Sequence, residues 1–419
     1  MAAPLTTTGL TRNPDFMKLW GAQSVSVLGS AITSLALPTA AILTLHANPF
    51  EVGLLAGLQR LPFLFFSLPA GAWLDRVNRR PVMIVCDLGR ATVLASIPIA
   101  AVFNVLGLGQ LYLAAFLVGA FTVFFDVAYL AYLPALVSRE DLMGGNQRMQ
   151  MTSWLSNLVG PGLAGILIQA VGAALAIAAN SVSFLASALL LTLIRGEPRI
   201  EPAAAATSLR QEIAEGLRWV FQHRLLRSQL VGLTLGFFGF YLAQPVILIY
   251  VYNNLHLAPA VVGGVFVLEG VAGVAGLAVA PRVVRRLTLG TTMWASQIGI
   301  GLGLMAMTLA SVGQPLILLA LALLLVGFAD SIQDVNQVTL RQSLTPDRLQ
   351  GRMNATFRLF FWGSGPIASL LGGALATLLG AAPTIVIGGG LCILVAAFIA
   401  VSPLGRIKER ATSELSREA

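Results

Sequence analysis

Charge is what this chain has least of: 11% of its 419 residues are Asp, Glu, Lys or Arg, against 57% that are apolar. That imbalance excludes a soluble globular protein, whose surface needs more charge than this to stay in water. Lysine occurs only at positions 18 and 408, cysteine only at 86 and 392, and histidine only at 46, 223 and 256. Two cysteines at opposite ends of the chain exclude a disulfide framework, and the three histidines have no metal-ligand spacing, so no metal is expected. The Gly-x-x-x-x-Gly-Lys-Ser/Thr run that direct ATP coupling requires is absent from the sequence. No convincing nucleophile-and-base set stands out either, so neither an enzyme nor a cofactor is expected.

What is present is apolar sequence in runs of about twenty residues, the length that spans a bilayer as a helix. Twelve can be read, at 19–45, 52–74, 81–105, 111–137, 147–171, 173–194, 226–253, 259–281, 290–312, 315–340, 355–379 and 382–404. The predicted fold is an all-α membrane protein. The net charge of +8 does not point to nucleic acid, because the arginines follow the runs. Every loop after an even-numbered run carries Arg, and the tails carry Arg12, Lys18, Arg406, Lys408 and Arg410. The six loops after odd-numbered runs hold no Lys or Arg. This positive-inside pattern puts both termini in the cytoplasm, and an added or missing span would break the alternation. The first sixteen residues are largely polar, so no cleaved signal peptide is expected. The preference for Arg over Lys suggests a GC-rich bacterium, and hence its inner membrane.

The chain also resembles itself. A shift of 210 residues aligns Leu45, His46, Pro49, Val52 and Gly53 with Leu255, His256, Pro259, Val262 and Gly263. A shift of 207 aligns Ser138, Glu140, Leu142 and Gly144 with Thr345, Asp347, Leu349 and Gly351. Two similar six-helix halves, 1–194 and 225–404, follow. The segment 195–224 is a linker, and 405–419 a cytoplasmic tail. Within the linker, Ser208 with Gln211 forms a capping box, and Leu209, Ile213, Leu217, Val220 and Phe221 recur at helical spacing. An amphipathic helix on the membrane surface is expected there, with Trp219 at the interface; a plain tether is the alternative.

The loop after the second run reads Gly71-Ala-Trp-Leu-Asp75-Arg76-Val-Asn-Arg79-Arg80. A small residue for close packing, an acid for a helix N-terminus and arginines for headgroups make a gate element. The fifth run carries Gly160-Pro161-Gly162-Leu163-Ala164-Gly165, a candidate hinge or seal. The first motif resembles the Gly-x-x-x-Asp-Arg-x-Gly-Arg-Arg signature of the major facilitator superfamily, with Asn78 where the family prefers Gly. The second resembles its antiporter motif, with Ala164 in place of the first of the paired glycines. Over its length the chain is similar to the branch of enterobactin exporters and macrolide-efflux proteins, through Asp75-Arg76, Arg79-Arg80, Asp87 with Arg90, Leu133-Pro134, Arg341-Gln342 and Gly351-Arg352, among others. The resemblance implies two pseudo-symmetric bundles, a cytoplasmic latch through Asp75, and helices 1, 4, 7 and 10 around a central cavity.

Ionisable residues inside the runs are few, and each costs about 2.5–3.5 kcal/mol at mid-bilayer unless it faces protein or water. They are Arg60, Asp87, Arg90, Asp126, Glu269, Asp330 and Asp334. Asp126 falls in the fourth run, and Asp330 and Asp334 lie one turn apart in the tenth, so these three and Glu269 are candidates for proton coupling or for a cationic substrate, since desolvation favours the neutral form of a carboxyl. Buried acids satisfied by Gln333 or Asn336 remain the bland alternative. Arg60 could meet an anionic group or neutralise an acid. Asp87 and Arg90, three apart, are expected to pair behind the Asp75 latch. Gln23, Ser26, Ser30 and Thr33 in the first run, with Tyr241, Gln244 and Asn253 in the seventh, are candidate cavity polars.

The expected function is secondary active transport. A monomeric proton-coupled antiporter would export small amphipathic organic molecules by alternating access, with protons, cargo and membrane lipids as its partners. A proton symporter or facilitator importing a metabolite, and a lysolipid transporter, stay open as alternatives.

Overall fold

In a computed structural model of the chain, residues 10–74, 77–138, 140–195 and 209–407 are described. They are helical almost throughout: α1 (Pro14–Thr39), α2 (Pro49–Leu74), α3 (Arg79–Val102), α4 (Leu108–Leu136), α5 (Leu142–Val171), α6 (Ala173–Thr192), α7 (Leu209–Gln222), α8 (Arg224–Ile249), α9 (Pro259–Leu287), α10 (Leu289–Met307), α11 (Pro315–Ser343), α12 (Asp347–Leu379) and α13 (Ala381–Val401). Eleven of these are long and apolar enough to cross a membrane, and α2, with 26 residues, is the twelfth long helix. No strand occurs among the described residues.

Several helices begin before their apolar runs. α1 starts at Pro14, where Asn13 accepts from the N–H groups of Asp15 and Phe16 at 3.1 Å and Pro14 presets the first helical φ. α5 starts at Leu142 and α12 at Asp347, well ahead of the apolar stretches at 147 and 355. Hydropathy marks only the segment that suits hydrocarbon; backbone hydrogen bonding carries the helix beyond it.

The internal repeat is visible in backbone detail. α1 ends in a five-residue π-helical turn, Ala40–Thr44, and α8 in another, Tyr250–Asn254. His46 and His256 follow at left-handed φ of 52° and 51°, and the chain then re-enters through Ala47 N–H to Ala41 O (2.9 Å) and Leu257 N–H to Val251 O (3.1 Å). Gly172 and Gly380, at φ 85° and 92°, make the matching breaks between α5 and α6 and between α12 and α13.

The chain divides into two compact units. The first comprises Met1–Ala47, Leu58–Ala205 and Ala258–Gly264; the second comprises Asn48–Gly57, Ala206–Leu257 and Val265–Ala419. Within the first, α5 crosses the opening turns of α9 at two glycines: a Cβ built on Gly165 would lie 3.0 Å from the Gly263 Cα, and one on Gly263 would lie 3.0 Å from the Gly165 Cα. The Gln169 Oε1 accepts from Ala260 N–H at 3.2 Å beside this crossing. Within the second unit the repeat-related residues do the same. A Cβ on Gly53 would lie 2.5 Å from the Ser369 O, one on Gly373 would lie 3.0 Å from the Gly53 Cα, and Phe50 N–H donates to the Thr377 Oγ1 at 3.1 Å.

The linker helix α7 belongs to the second unit and packs against α12. Val220 is fully buried, Phe221 meets Phe360 edge-on at 6.0 Å, and a Cβ on Gly216 would lie 2.7 Å from the Arg352 O. Glu215 pairs with Arg352 and lies 3.9 Å from Arg348. Trp219 keeps its indole Nε1 buried and without a hydrogen-bond partner. Ser208 of the predicted capping box falls outside the described residues, as do the side chains of 209–213.

Candidate functional site

The predicted gate residues distribute over several roles. Asp75 and Arg76 lie outside the described residues. Arg79 and Arg80 do not spread toward headgroups: Arg79 Nη1 donates to Ala131 O in α4 at 3.0 Å, and Arg80 Nε donates to Leu191 O at the end of α6 at 2.9 Å, with Nη2 on Thr192 O. A cation on the last carbonyls of a helix is favoured by its dipole. Gly71 does not provide close packing, since a Cβ placed there meets nothing within 4 Å.

Asp87 and Arg90 do pair, and they are buried to 0% and 2% exposure. The second Asp87 oxygen accepts from Ser187 of α6 at 2.6 Å. The Arg90 guanidinium lies between two rings, 4.3 Å from the centroid of Phe125 on α4 and 4.1 Å from that of Phe184 on α6, with Nη1 3.5 Å from the Thr122 Oγ1. The pair thus pins α3, α4 and α6 together. Asp126, one turn beyond Thr122, is half-buried and acts electrostatically on Cys86 and Tyr129. Arg60 is half-buried in α2 and makes interactions of its own.

The candidate hinge in α5 is observed as a packing run. The helix continues through Pro161, Ala164 is fully buried, and Gly160 sits against Ala31 of α1, so close that its missing Cβ is a steric requirement. Gly165 serves the crossing with α9. In α1, Ser26 and Thr33 are buried at 3% and 4% exposure, and Thr33 accepts from Asn180 of α6 at 2.8 Å, which joins α1 to α6.

The second unit concentrates the remaining acids. α9 and α11 approach closely at Glu269 and Gly327, where a Cβ on Gly327 would lie 3.0 Å from the Glu269 Cγ. The repeat-related pair in the first unit has the same contact, with Gly119 against the carbonyl of Gln59. Further along, Gly276 packs on Phe328 O and Gly273 on the Ser331 Oγ. This puts Glu269 within electrostatic reach of Asp330, which in turn feels Asp334. Asp330 and Asp334 stand one turn apart on α11, and both residues keep exposed surface. Buried Gln333, whose amide atoms both lack partners, and buried Asn336, which donates to the Ile332 O, flank them without bonding either acid.

Sequence reasoning missed the continuation of that face. Asp334 Oδ1 accepts from Gln337 Nε2 at 2.7 Å, and Gln337 Oε1 accepts from Arg341 Nη1 at 3.2 Å. Arg341, read from the sequence as a cytoplasmic-loop charge and as part of the family resemblance, lies in the last turn of α11, 5.4 Å and 5.9 Å from the ring centroids of Phe357 and Phe361. The spacing 330, 334, 337, 341 is one helix face and would have flagged it. Beside these rings, Phe237 of α8 stacks on Phe361 at 5.1 Å and leads to Tyr241 at 5.7 Å. No group of three or more His, Cys, Asp or Glu able to hold a metal occurs among the described residues.

Comparison with known proteins places this architecture. The Major Facilitator Superfamily model matches residues 19–369 and, in a second match, 230–416. The chain is 27% identical over 379 residues to the multidrug efflux pump Tap of Mycolicibacterium fortuitum, covering 87% of this chain and 90% of the relative. It is 27% identical over 365 residues to the enterobactin exporter EntS of Citrobacter koseri, covering 82% and 81%. Among solved structures, a bacterial homologue of the iron transporter ferroportin in the inward-facing state superposes with a TM-score of 0.74 at 16% identity, over 92% of this chain and 97% of that one. A bacterial homologue of the lysosomal transporter Spinster gives 0.74 at 14%, over 93% and 96%. At those identities the structural likeness speaks for the fold alone. Twelve long helices in two repeat-related sets, the sequence-wide family match and full-length likeness to efflux proteins make this chain a member of the major facilitator superfamily of transporters.

Proposed function

We propose that this protein is a proton-coupled antiporter that exports small amphipathic organic molecules, with Asp330 and Asp334 of α11 and Glu269 of α9 taking the proton and meeting the positive end of the cargo. The observation that carries this is the pair of acids one turn apart within a membrane-spanning helix, both keeping exposed surface. Each such group costs about 2.5–3.5 kcal/mol in hydrocarbon, so acids with exposed surface at that depth call for a water-filled cavity or a charged ligand. Relatives named as a multidrug efflux pump and an enterobactin exporter support export and an organic cargo.

In this scheme protonation from outside neutralises the acids and lets the empty carrier reorient, and deprotonation inside readies them for cargo. Asp126 and Arg60 are the corresponding candidates in the first unit. The protein works as a monomer in the bacterial inner membrane, with both termini in the cytoplasm, an orientation that the arginine distribution supports. The phenylalanines and Tyr241 beside the α11 face suit a cargo with an apolar body, since small-molecule sites are mostly apolar walls with a few polar groups.

Purified protein titrated with tetraphenylphosphonium, a neutral amphiphile and an anionic one in weakly buffered solution tests this. Proton release on binding of the cation, lost in Asp330→Asn or Asp334→Asn variants that still fold, supports antiport. Binding without release, or release unchanged in both variants, overturns it.

A further inference from the structure

We infer that Arg341 is a positioning residue for Asp334, acting through the side-chain amide of Gln337 as a one-way hydrogen-bond relay. This rests on the proposed role of Asp334 in transport.

The chemistry of the three side chains leaves one arrangement. A guanidinium has only donors, so the Gln337 atom facing Arg341 must be the oxygen, and the 3.2 Å contact from Arg341 Nη1 meets it. The amide nitrogen is thereby turned toward Asp334, where it donates to Oδ1 at 2.7 Å. An N–H directed at a carboxyl suits its ionised form; an amide oxygen there would suit the protonated one. Without Arg341, nothing in the relay decides between the two amide orientations. Asp330 has no such partner on its own helix face, so the relay sets Asp334 apart from it.

Each member is held from outside the relay. The Gln337 backbone is fixed by Gln229 of α8, whose Nε2 donates to Gln337 O at 2.7 Å, and Gln337 is 3% exposed. Arg341 rests over Phe357 and Phe361 of α12, inside the roughly 6 Å range in which a ring face attracts a cation. Its Nε is buried and makes no hydrogen bond, so the charge is steered by the rings and Gln337 rather than by a carboxylate in contact with it. Phe357 shares a buried cluster with Val220 of α7 and Leu340 of α11, which ties the guanidinium's seat to the linker helix.

The charged groups that bear on this face are few. On α11 they are Asp330, Asp334 and Arg341; on α9, Glu269, which reaches Asp330; on α12, Arg358, which opposes Arg341 electrostatically. α10, packed along α11, carries no ionisable side chain, and α8 carries Arg224 and Arg227 in its first turn and Tyr241 beside Phe237. No other basic group on these helices lies in the relay, so Arg341 is the residue that orients Gln337.

The test separates orientation from mere charge. Isotope-edited infrared spectra of full-length protein in detergent, taken as wild type minus Asp334→Asn, isolate the Asp334 carboxylate band without needing a cargo. Arg341→Met keeps the contact with the rings but has no donor; Gln337→Leu keeps the arginine but cuts the relay; Arg341→Lys keeps a donor. The Met and Leu variants should show the same displaced band and the same displaced pH profile of tetraphenylphosphonium-coupled proton release, while the Lys variant stays near wild type. A band unmoved in both the Met and Leu variants overturns the relay. A band moved in the Met variant but not in the Leu variant also overturns it, by showing a through-space charge effect. If Asp334→Asn itself releases protons like wild type, the proposed role of Asp334 fails, while the infrared band still reports on the relay.

Discussion

Ser187 of α6 donates a 2.6 Å hydrogen bond to the Asp87 oxygen that Arg90 does not occupy, so a carboxylate with 0% exposure on α3 is satisfied from two helices at once. Removing one member of such a pair strands the other charge out of water, which costs about 3–5 kcal/mol. Asp87→Ala should therefore lower the thermal unfolding temperature far more than Ser187→Ala, which loses one hydrogen bond worth about 1–3 kcal/mol. Thermal unfolding of purified protein, followed by size-exclusion fluorescence, checks the order; equal effects would show that Arg90 is satisfied by the rings of Phe125 and Phe184 alone.

The two glycine crossings make opposite demands from the gate glycine. Gly373→Val and Gly165→Val place side chains where backbone atoms already lie within 3.0 Å of a Cβ, so each should lose transport and roughly 1–3 kcal/mol of stability through overpacking. Gly71→Ala, facing open space, should transport as wild type. Vesicle efflux of the three variants at matched expression decides it.

The linker helix is held by packing more than by charge. The Glu215 carboxylate and Arg352 are both partly exposed, at 41% and 28%, and such a pair contributes about 0–1 kcal/mol, screened by salt. Glu215→Gln should thus change hydrogen exchange in 214–222 only slightly. Gly216→Leu, which drives a side chain into the backbone of α12, should open the whole helix. Exchange raised as much by Glu215→Gln as by Gly216→Leu would reverse that ranking.

His223 caps α8 by accepting from Leu226 N–H at 3.5 Å through Nδ1, which requires a neutral ring. Burial pushes the His223 imidazole below its ordinary range, because desolvation disfavours the cation. A depressed basic group stabilises the fold above its ordinary range and loses that contribution as pH falls through the folded-state value. With the intrinsic pH dependence of exchange divided out, the protection of amides 223–227 should fall on acidification in wild type. In His223→Asn, whose side chain caps at any pH, it should not.

Some of this was legible from residues alone. The twelve spans were legible because hydrocarbon tolerates only long apolar helices, and the duplication showed in Leu45-His46 and Leu255-His256, which the structure places directly after paired π-helical turns. The Asp87 and Arg90 pair was legible because helical spacing puts i and i+3 on one face. Gly165 was singled out as a hinge, but its partner Gly263 was not foreseen, because a glycine's value in a crossing depends on which backbone passes it. The contact of Arg341 with Gln337 and the rings was not foreseen for the same reason: its sequence neighbours look cytoplasmic, and its ring partners sit on another helix.

The sequence by itself determined that this chain is a twelve-span membrane protein of repeated halves, since bilayer thickness, backbone hydrogen bonding and arginine placement act on local sequence. Only the tertiary structure decided that Arg80 caps α6, that α7 lies on α12, and that the Gln337 amide donates to Asp334. These are contacts between segments distant in the chain, whose energy depends on close approach and hydrogen-bond direction, and neither composition nor periodicity carries that information.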